Sequence, residues 1–426
     1  MIVMKFGGTS VGTADAMRLV AKALVNNREK KIVVLSASAG ITDKLINITN
    51  SLPENIVQAN LIYNEIESQI LNICHKLEFQ EDSLKKVEEI VYKVKELIFG
   101  VELLDYLSDS IANRIVSYGE ILSTTIFYEF IKSKVTCEFV DITNFLIYDS
   151  QSDDFELTNK EEINKIFESA NTIITQGFIC KNRDGKISNL GRGGSDYSAS
   201  ILASELGASE LQIWTDVNGV MSADPRIVKN PLTKNKINIS SLERMAFFGA
   251  KVIHPNTLKP TLKSNIPVRI LNTFDTNNNG TLVTKDSENR IPTFTIKRKC
   301  NLYTFKTVTK KNLYYINKYI TSLTVVRSLN LLSSIHMDNS IHYVFDQKIE
   351  KFMELEHSFT SKEIDLIYIC ELTNSKINAI LTNLNILNLE QLEIDWANSS
   401  ILLLANADNK TQDYDRFHDM LINIDN

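Results

Sequence analysis

The tail of the sequence, residues 293–426, contains no glycine and no proline. All 15 glycines lie at or before Gly280, and all 7 prolines lie at or before Pro292. Most tight turns depend on these two residues, so their absence marks the tail as a different kind of structure. A turn-rich segment ending at Gly280 and a polar stretch at 285–290 precede it. We therefore predict two domains, 1–288 and 293–426.

Cysteine is also scarce. The 5 cysteines include no pair with the CxxC spacing of a metal or redox motif, which argues against a zinc site or a disulfide framework. No apolar run reaches the roughly 18 residues that a membrane helix requires. The N-terminus lacks the basic and apolar regions of a signal peptide. We therefore expect reduced thiols, a cytoplasmic location and no membrane partner.

A basic surplus is absent as well. The 46 Lys and Arg residues face 52 Asp and Glu residues, which gives a formal net charge of −6 at pH 7. This balance argues against a nucleic-acid partner. It also requires that any anionic substrate meet cations gathered locally. The hydrophobic content of 43% and the length of 426 residues are typical of a globular protein with two or three domains.

The first domain alternates strand and helix patterns, which predicts an α/β fold with an open, largely parallel sheet flanked by helices. In such sheets, ligands bind at the carboxyl ends of the strands. The segment 56–99 interrupts the alternation with two apolar helical repeats, which we interpret as a packed helical pair. The predicted strands are 31–35, 136–142, 172–179, 211–215 and 267–271.

The tail has shorter alternating elements, which predict two successive βαββαβ modules. The predicted strands are 303–307, 323–326, 341–345, 364–370, 392–396 and 401–404. The predicted helices are 312–319, 348–355, 376–384 and 414–422.

The N-terminal motif runs from an apolar strand through Lys5, Gly7 and Gly8 into a helical pattern near Ala14. A strand that passes through a glycine turn into a helix directs backbone N–H groups and a positive helix end at one place. That place suits an anion, and Lys5 adds a full charge beside it. The lysine precedes the glycines, so the motif is not a Walker A loop.

A second motif, Leu190–Asp196, combines three glycines with Arg192 and Asp196. An arginine can bind a carboxylate through two parallel hydrogen bonds. The glycines can form a backbone nest at a helix start. Asp196 can begin that helix or orient a lysine. Glu120 follows Ser117-Tyr-Gly at the start of another helical pattern and is a candidate partner for a substrate ammonium.

Further polar residues follow the strand 211–215. Thr215 and Asp216 could hydrogen-bond a base or a ribose, and Arg226 could reach phosphates. Lys251 follows a helix and a glycine at another candidate phosphate position. We interpret His254, which precedes a proline, as structural.

Eight motifs, read in order, resemble those of the aspartate kinases, and most closely the monofunctional, lysine-sensitive branch. The motifs are Lys5–Val11, Leu35–Thr42, Ser117–Glu120, Thr175–Phe178, Gly191–Asp196, Trp214–Gly219, Asp224–Arg226 and Phe248–Pro255. The resemblance implies an amino-acid-kinase fold followed by two ACT modules. It implies phosphorylation of the side-chain carboxylate of L-aspartate by ATP with Mg²⁺, the first step of lysine, threonine, methionine and diaminopimelate synthesis. Some aspartate kinases are fused to a homoserine dehydrogenase. We expect no such fusion here, because the chain ends about where the ACT modules do and the sequence lacks a GxGxxG dinucleotide-binding fingerprint.

The resemblance also implies a role for each matching residue. Lys5 would contact the transferred phosphoryl group, and Gly7 and Gly8 would lend backbone N–H groups. Arg192 would bind the α-carboxylate of aspartate. The remaining roles are Glu120 for the ammonium, Ser36 and Thr42 for the pocket wall, Asp196 for holding Lys5 or Arg192, and Thr215, Asp216, Met221, Arg226 and Lys251 for ATP.

The chemistry fits a site without a general base, because a side-chain carboxylate with a pKa of about 3.9 is already ionised at neutral pH. Two departures from the family stand out. Met221 replaces an aromatic residue, and the turn 307–312 lacks the glycine usual in ACT effector pockets. We therefore expect a homodimer formed through the tail, and lysine is the amino-acid effector that the resemblance suggests. The alternatives are a kinase of glutamate or acetylglutamate and an inactive regulatory subunit.

Overall fold

The structure is a computed structural model of the chain. It describes residues 1–149, 151–152, 154–250, 253, 255–285, 291–306, 316–321, 324, 330–337, 340–349, 359–384, 389–396, 399–406 and 411–423. The chain divides into two compact units. The first consists of Met1–Val220 and Ile253–Thr284, and the second of Met221–Val252 and Lys285–Asn426.

The first unit mixes strands and helices, with four consecutive helices, α2 to α5, between β2 and β3. The strands are β1 Ile2–Phe6, β2 Lys31–Leu35, β3 Cys137–Val140, β4 Leu146–Asp149, β5 Asp154–Leu157, β6 Thr172–Gln176, β7 Ile179–Asn182, β8 Ile187–Asn189, β9 Glu210–Thr215, β10 Lys236–Asn238, β11 Val268–Asn272, β12 Thr281–Thr284, β13 Thr293–Lys306, β14 Leu331–Met337, β15 Ser340–Phe345, β16 Phe359–Cys370, β17 Glu390–Asp395 and β18 Ser400–Asn406. The helices are α1 Ala14–Asn26, α2 Ile41–Ser51, α3 Ile56–Lys76, α4 Glu81–Leu104, α5 Asp109–Ile131, α6 Lys160–Ser169, α7 Gly194–Glu205, α8 Ile239–Phe247, α9 Lys259–Lys263, α10 Asn374–Thr382 and α11 Thr411–Asn423.

Strands of the first unit lie side by side in the order β12-β11-β9-β1-β2-β6-β3. All neighbours in this series are parallel except β11 and β12. The central strands β1, β2 and β6 are buried along their whole length, as expected of parallel strands covered on both faces. The predicted largely parallel α/β sheet is therefore confirmed. Phe6, the last residue of β1, pairs with Leu35 on one side and Trp214 on the other.

The helical pair predicted over 56–99 is present as α3 and α4. The Asn55 side chain caps the start of α3 by accepting a hydrogen bond from the Gln58 amide. The repeated apolar residues of both helices, such as Ile66 and Val94, are buried in one core with β1 and β2. This placement supports the packing role predicted for the pair.

A small second sheet in the first unit was not predicted from the sequence. Its strands lie in the order β5-β4-β7-β8 and are only three or four residues long. They are mostly half-buried, so they lack the continuous apolar runs that reveal the central strands. The last of them, β8, leads directly into the glycine-rich loop 190–194.

The sheet of the second unit has the order β14-β15-β13-β16-β18-β17 and is antiparallel throughout. A bulge between Lys297 and Cys300 divides the long strand β13. Residues 301–306 of β13 pair with β15, whereas residues 364–369 of β16 pair with β18. Each long strand thus contributes one end to each of two four-stranded halves, with separate cores around Phe305 and Phe294. This arrangement fits the two predicted modules, which share their central strands.

Some predicted elements of the tail differ from the structure or fall outside it. Thr324 is helical where the sequence predicts a strand, and Lys348 and Ile349 are not helical where it predicts a helix. The other residues of those two predicted elements lie outside the described residues. Among the helices that the structure describes, none combines the length and apolar character needed to cross a bilayer.

The compact units differ from the contiguous segments 1–288 and 293–426, because 221–252 groups with the tail. The buried Lys234 ammonium donates to Ile291 O at 2.7 Å, to Thr293 Oγ1 at 2.9 Å and to Glu371 Oε2 at 2.5 Å. Ser222 Oγ lies 2.8 Å from His418 Nε2. Losing one partner of a buried ion pair costs about 3–5 kcal/mol. Glycine and proline content, on which the predicted boundary rests, carries no signal of such side-chain pairing.

Candidate active site

One cavity of about 720 Å³ in the first unit brings most of the predicted catalytic and substrate residues together. It opens beyond the carboxyl ends of β1 and β2, where the sequence predicts a ligand site. The predicted residues that line it are Lys5, Gly8, Ser36, Thr42, Glu120, Arg192 and Asp196.

The cavity contains a largely buried ion pair between Lys5 and Asp196. Lys5 Nζ lies 2.7 Å from Asp196 Oδ1, and the two side chains are 10% and 15% exposed. Lys5 is the fourth residue of β1, and Asp196 lies in the first turn of α7. Of the two partners that the sequence allowed for Asp196, the structure pairs it with Lys5. The pair joins the central strand of the sheet to the helix that follows the glycine-rich loop.

The two glycines after β1 have different roles. The Gly7 amide donates to Trp214 O at 3.0 Å and is therefore engaged between strands, in place of the free phosphate donor that we predicted. A Cβ on Gly8 would lie 2.9 Å from Ala37 O, so only glycine allows the chain to approach the loop after β2 this closely. No described residue accepts a hydrogen bond from the Gly8 amide. Of the two glycine amides, the Gly8 amide therefore remains available to an anion beside Lys5.

Glu120 points from α5 to the loop after β2 as a buried carboxylate. Its side chain accepts a hydrogen bond from the Ala37 amide at Oε1, at 3.1 Å. Its Oε2 has no hydrogen-bond partner among the described residues, and the residue is only 3% exposed. Burial raises the pKa of Glu120 to about 8, and Lys5 opposes this shift. A cation that entered the cavity would satisfy this oxygen.

Ser36 and Thr42 lie on either side of a tight turn at Gly40. Gly40 has φ +79°, a left-handed conformation that suits glycine, and it precedes α2. The Ser36 carbonyl accepts a hydrogen bond from Ser123 Oγ at 2.6 Å, which ties the turn to α5. The turn therefore holds both hydroxyl groups at the cavity wall.

Arg192 lies in a loop shaped by two glycines. Gly191 and Gly193 have φ of +68° and +75°, and the Gly194 amide donates to Gly191 O at 3.0 Å. The Arg192 side chain is exposed and makes no hydrogen bond or ion pair with any residue that the structure describes. It is therefore available to a carboxylate. A Cβ on Gly194 would lie 2.7 Å from Phe178 Cδ2, which explains the glycine there.

Two of the predicted nucleotide residues lie at the end of β9, the neighbour of β1: Thr215 is its last residue and Asp216 follows it. Thr215 Oγ1 donates to Asp216 Oδ1 at 3.2 Å, and Asp216 is exposed. Neither residue lines the Lys5 cavity. They follow Trp214, whose carbonyl binds the Gly7 amide, so they continue the chain beside the glycine turn.

The other predicted nucleotide residues lie outside the first unit or outside the described residues. Met221 forms an isolated bridge with Thr233 in the second unit. Arg226 binds Asp224 in the same unit, with Nε 2.9 Å from Oδ1, so that its guanidinium is already paired. Lys251 and His254 are outside the described residues.

Sequence reasoning missed several residues of the cavity. The missed residues are Asp43, Thr49, Asn113, Phe178 and Asn189. Phe178 has φ +66°, which is unusual for a residue with a side chain and marks a strained position at the cavity. Asn113 lies seven residues before Glu120 on α5, so helical spacing could have placed it on the same face.

Residues 1–272 match the family described as the amino acid kinase family. The chain belongs to the amino acid kinase family. Lysine-sensitive aspartokinase 3 of Escherichia coli is 35% identical to it over 298 residues, or 68% of this chain. The match spans 65% of the length of that relative, slightly less than two thirds.

Two solved structures of another amino acid kinase are similar over nearly the whole chain. Both are of Escherichia coli aspartokinase III, at 25% identity. The complex with aspartate and ADP has a TM-score of 0.79 and covers 98% of this chain and 99% of that one. The complex with lysine and aspartate has a TM-score of 0.80 and covers 99% of each chain.

We predict that Glu120→Gln stabilises the protein increasingly as pH rises. The folded state keeps Glu120 protonated up to a pKa of about 8, whereas the ordinary pKa of a free glutamate side chain is 4.5. Unfolding therefore releases a proton between these values, and stability falls as pH increases through that window. The slope is at most about 1.4 kcal/mol per pH unit. Glutamine removes this loss because it does not titrate.

Differential scanning calorimetry of the wild type and the variant between pH 5 and pH 8 measures the effect. The difference in Tm should widen steadily across this range. The control is Glu205→Gln, whose carboxylate is exposed beside Lys160, and which should change Tm little. A Tm difference for Glu120→Gln that is constant with pH would contradict a raised pKa of Glu120 in the folded protein.

Proposed function

We propose that this chain phosphorylates the side-chain carboxylate of L-aspartate with MgATP to give 4-phospho-L-aspartate, the first step of aspartate-family amino acid synthesis. One observation carries the proposal. A single cavity holds the buried Glu120 side chain, a lysine beside a glycine turn, and an arginine; one Glu120 oxygen and the arginine have no partner among the residues that the structure describes. These groups match the ammonium, the α-carboxylate and the reacting side-chain carboxylate of aspartate. The Escherichia coli relatives support the same substrate.

The two ends of the amino acid would meet opposite charges. The ammonium would bind Glu120 Oε2, the buried oxygen without a partner. Its positive charge would favour the ionised carboxylate and lower the pKa of Glu120. Arg192 would bind the α-carboxylate through two parallel hydrogen bonds. Bound in this way, the side-chain carboxylate extends toward the Lys5 end of the cavity.

The reaction requires positioning and charge stabilisation rather than a base. An oxygen of the ionised side-chain carboxylate attacks the γ-phosphorus. The bond from that phosphorus to the β–γ bridging oxygen breaks, and ADP leaves with the electron pair. Lys5 and the free Gly8 amide would stabilise the charge on the transferred group. Asp196 holds Lys5 in place through the 2.7 Å ion pair.

ATP would enter as its Mg²⁺ complex. Thr215 and Asp216 would contact the nucleoside from the end of β9, and Met221, Arg226 and Lys251 are proposed as further ATP contacts. Among the described residues, no group of three or more His, Cys, Asp or Glu side chains could hold a metal ion. Mg²⁺ in kinases keeps water and phosphate oxygens as most of its ligands. The available Gly8 amide and Lys5 suit the phosphates of such a complex.

The alternatives are less well supported. An N-acetylated substrate carries no ammonium, and it would leave the buried Glu120 carboxylate without a cation. L-Glutamate has the same charges and differs only in length, so it remains the nearest alternative. An inactive regulatory subunit has no need for Lys5, Glu120, Arg192 and Asp196 in one cavity.

The proposal predicts that Lys5→Ala lowers kcat at least about a hundredfold, the effect of losing one transition-state donor. The measurement is MgATP-dependent ADP release in the presence of L-aspartate. The matched control is Lys22→Ala, which removes an exposed lysine from α1 and should leave kcat unchanged. Near-normal turnover by Lys5→Ala would remove Lys5 from catalysis.

We also propose that catalysis resides in 1–288 and that 293–426 forms a homodimer and senses an amino acid. The two four-stranded halves of the second unit and the lysine-sensitive relative support this division. The five cysteines are all buried and unpaired, which is compatible with the cytoplasmic location expected from the sequence.

If lysine is the effector, it should stabilise the protein on binding. A ligand at 100 times its Kd adds about 2.7 kcal/mol to stability. A thermal-shift titration with L-lysine at millimolar concentrations should therefore raise Tm, and D-lysine serves as the control. No shift with L-lysine would exclude it as an effector.

A further inference from the structure

Two asparagines line the cavity without an assigned role. Asn113 belongs to α5, and Asn189 is the last residue of β8. Asn189 Nδ2 donates a hydrogen bond to Asn113 Oδ1 at 2.7 Å. The two residues are 76 positions apart in the sequence, and both are half-buried. The hydrogen bond therefore links the small sheet directly to the helix that carries Glu120.

The other end of the Asn189 amide supports the glycine-rich loop. Its Oδ1 accepts a hydrogen bond from the Gly191 amide at 3.1 Å. The Gly191 carbonyl in turn accepts from the Gly194 amide at 3.0 Å. The Asn189 side chain thus connects two elements. Its nitrogen binds Asn113 on α5, and its oxygen binds the backbone beside Arg192.

Arg192 depends on this backbone for its position. Its side chain is exposed and has no partner among the residues that the structure describes. Glu120 follows Asn113 by two helical turns on the same face of α5, about 10 Å along the axis. Asn113, Asn189 and Gly191 therefore form a chain of hydrogen bonds between the helix that carries Glu120 and the loop that carries Arg192.

We propose that the Asn113–Asn189 hydrogen bond is a positioning element that fixes the spacing between Glu120 and Arg192, and with it the recognition of an α-amino acid. The inference rests on the proposed function, because it assigns these two charges to one substrate. Neither asparagine touches the reacting atoms. Their loss should weaken amino acid binding and leave the phosphoryl transfer step intact.

The test is Asn113→Ala, which removes the hydrogen bond and keeps the helix, since alanine is the best helix former. The loss of this half-buried neutral hydrogen bond predicts a rise in KM for L-aspartate of roughly three- to tenfold. The kcat and the KM for MgATP should stay within twofold of the wild type. Asn189→Ala should raise KM for L-aspartate at least as much, because it also removes the Gly191 contact.

The matched control is Asn182→Ala in the same hairpin. Asn182 Oδ1 accepts a hydrogen bond from the Lys186 amide at 2.9 Å, as Asn189 does from Gly191, but Asn182 does not line the cavity. All its kinetic constants should stay within twofold of the wild type. An equal rise in KM for this variant would mean that the effect is a general loosening of the hairpin, and would overturn the proposal.

The decisive test is the double variant Asn113→Ala/Arg192→Ala, compared with Arg192→Ala alone. If the asparagines act through Arg192, the second change should raise KM no further. An additional rise equal to that in the wild-type background would overturn the proposal, as would an unchanged KM in Asn113→Ala alone. A wild type inactive with L-aspartate would instead refute the proposed function, so the two failures are distinguishable.

Discussion

The ion pair between Lys5 and Asp196 is the interaction on which the candidate site depends. It places a positive charge at the end of the central strand and anchors the start of α7. Because Asp196 lies directly after the glycine-rich loop, the same contact also fixes one end of the loop that carries Arg192. The same ion pair therefore helps to position both Lys5 and the loop of Arg192, the proposed substrate ligand. A pair that is 10% and 15% exposed is also shielded from salt far better than a surface pair.

Glu120 shows the energetic cost of a binding group that is already positioned in the absence of a ligand. A carboxylate that is 3% exposed, with one oxygen unpartnered among the described residues, is costly to ionise, and its raised pKa reflects that cost. The Lys234–Glu371 pair in the second unit is also buried, but its charges are matched within the protein. Glu120 therefore has the features of a ligand-binding group, whereas the Lys234–Glu371 pair has a structural role.

The features that could be predicted from the sequence are those carried by repeating patterns or by residues that lie close together along the chain. Buried apolar strands that alternate with helical patterns predicted a parallel sheet with ligands at the carboxyl ends of its strands, and the glycine turn after Lys5 follows one such end. Side-chain pairing between distant positions gave no local signal, so the Asn113–Asn189 bond and the grouping of 221–252 with the tail were missed. The engagement of the Gly7 amide was missed because it depends on which strand lies beside β1. Residue order alone does not specify that neighbour.

The most direct test of the account is hydroxylamine trapping of the product formed by the wild-type protein with MgATP. Hydroxylamine converts an acyl phosphate to a hydroxamate, so the assay detects phosphate bound to a carboxylate. We expect hydroxamate from L-aspartate and none from L-glutamate or N-acetyl-L-glutamate. Hydroxamate from either of those two alone would assign the Glu120 and Arg192 cavity to a different amino acid. The absence of product from all three would contradict the assignment of the cavity as a phosphotransfer site.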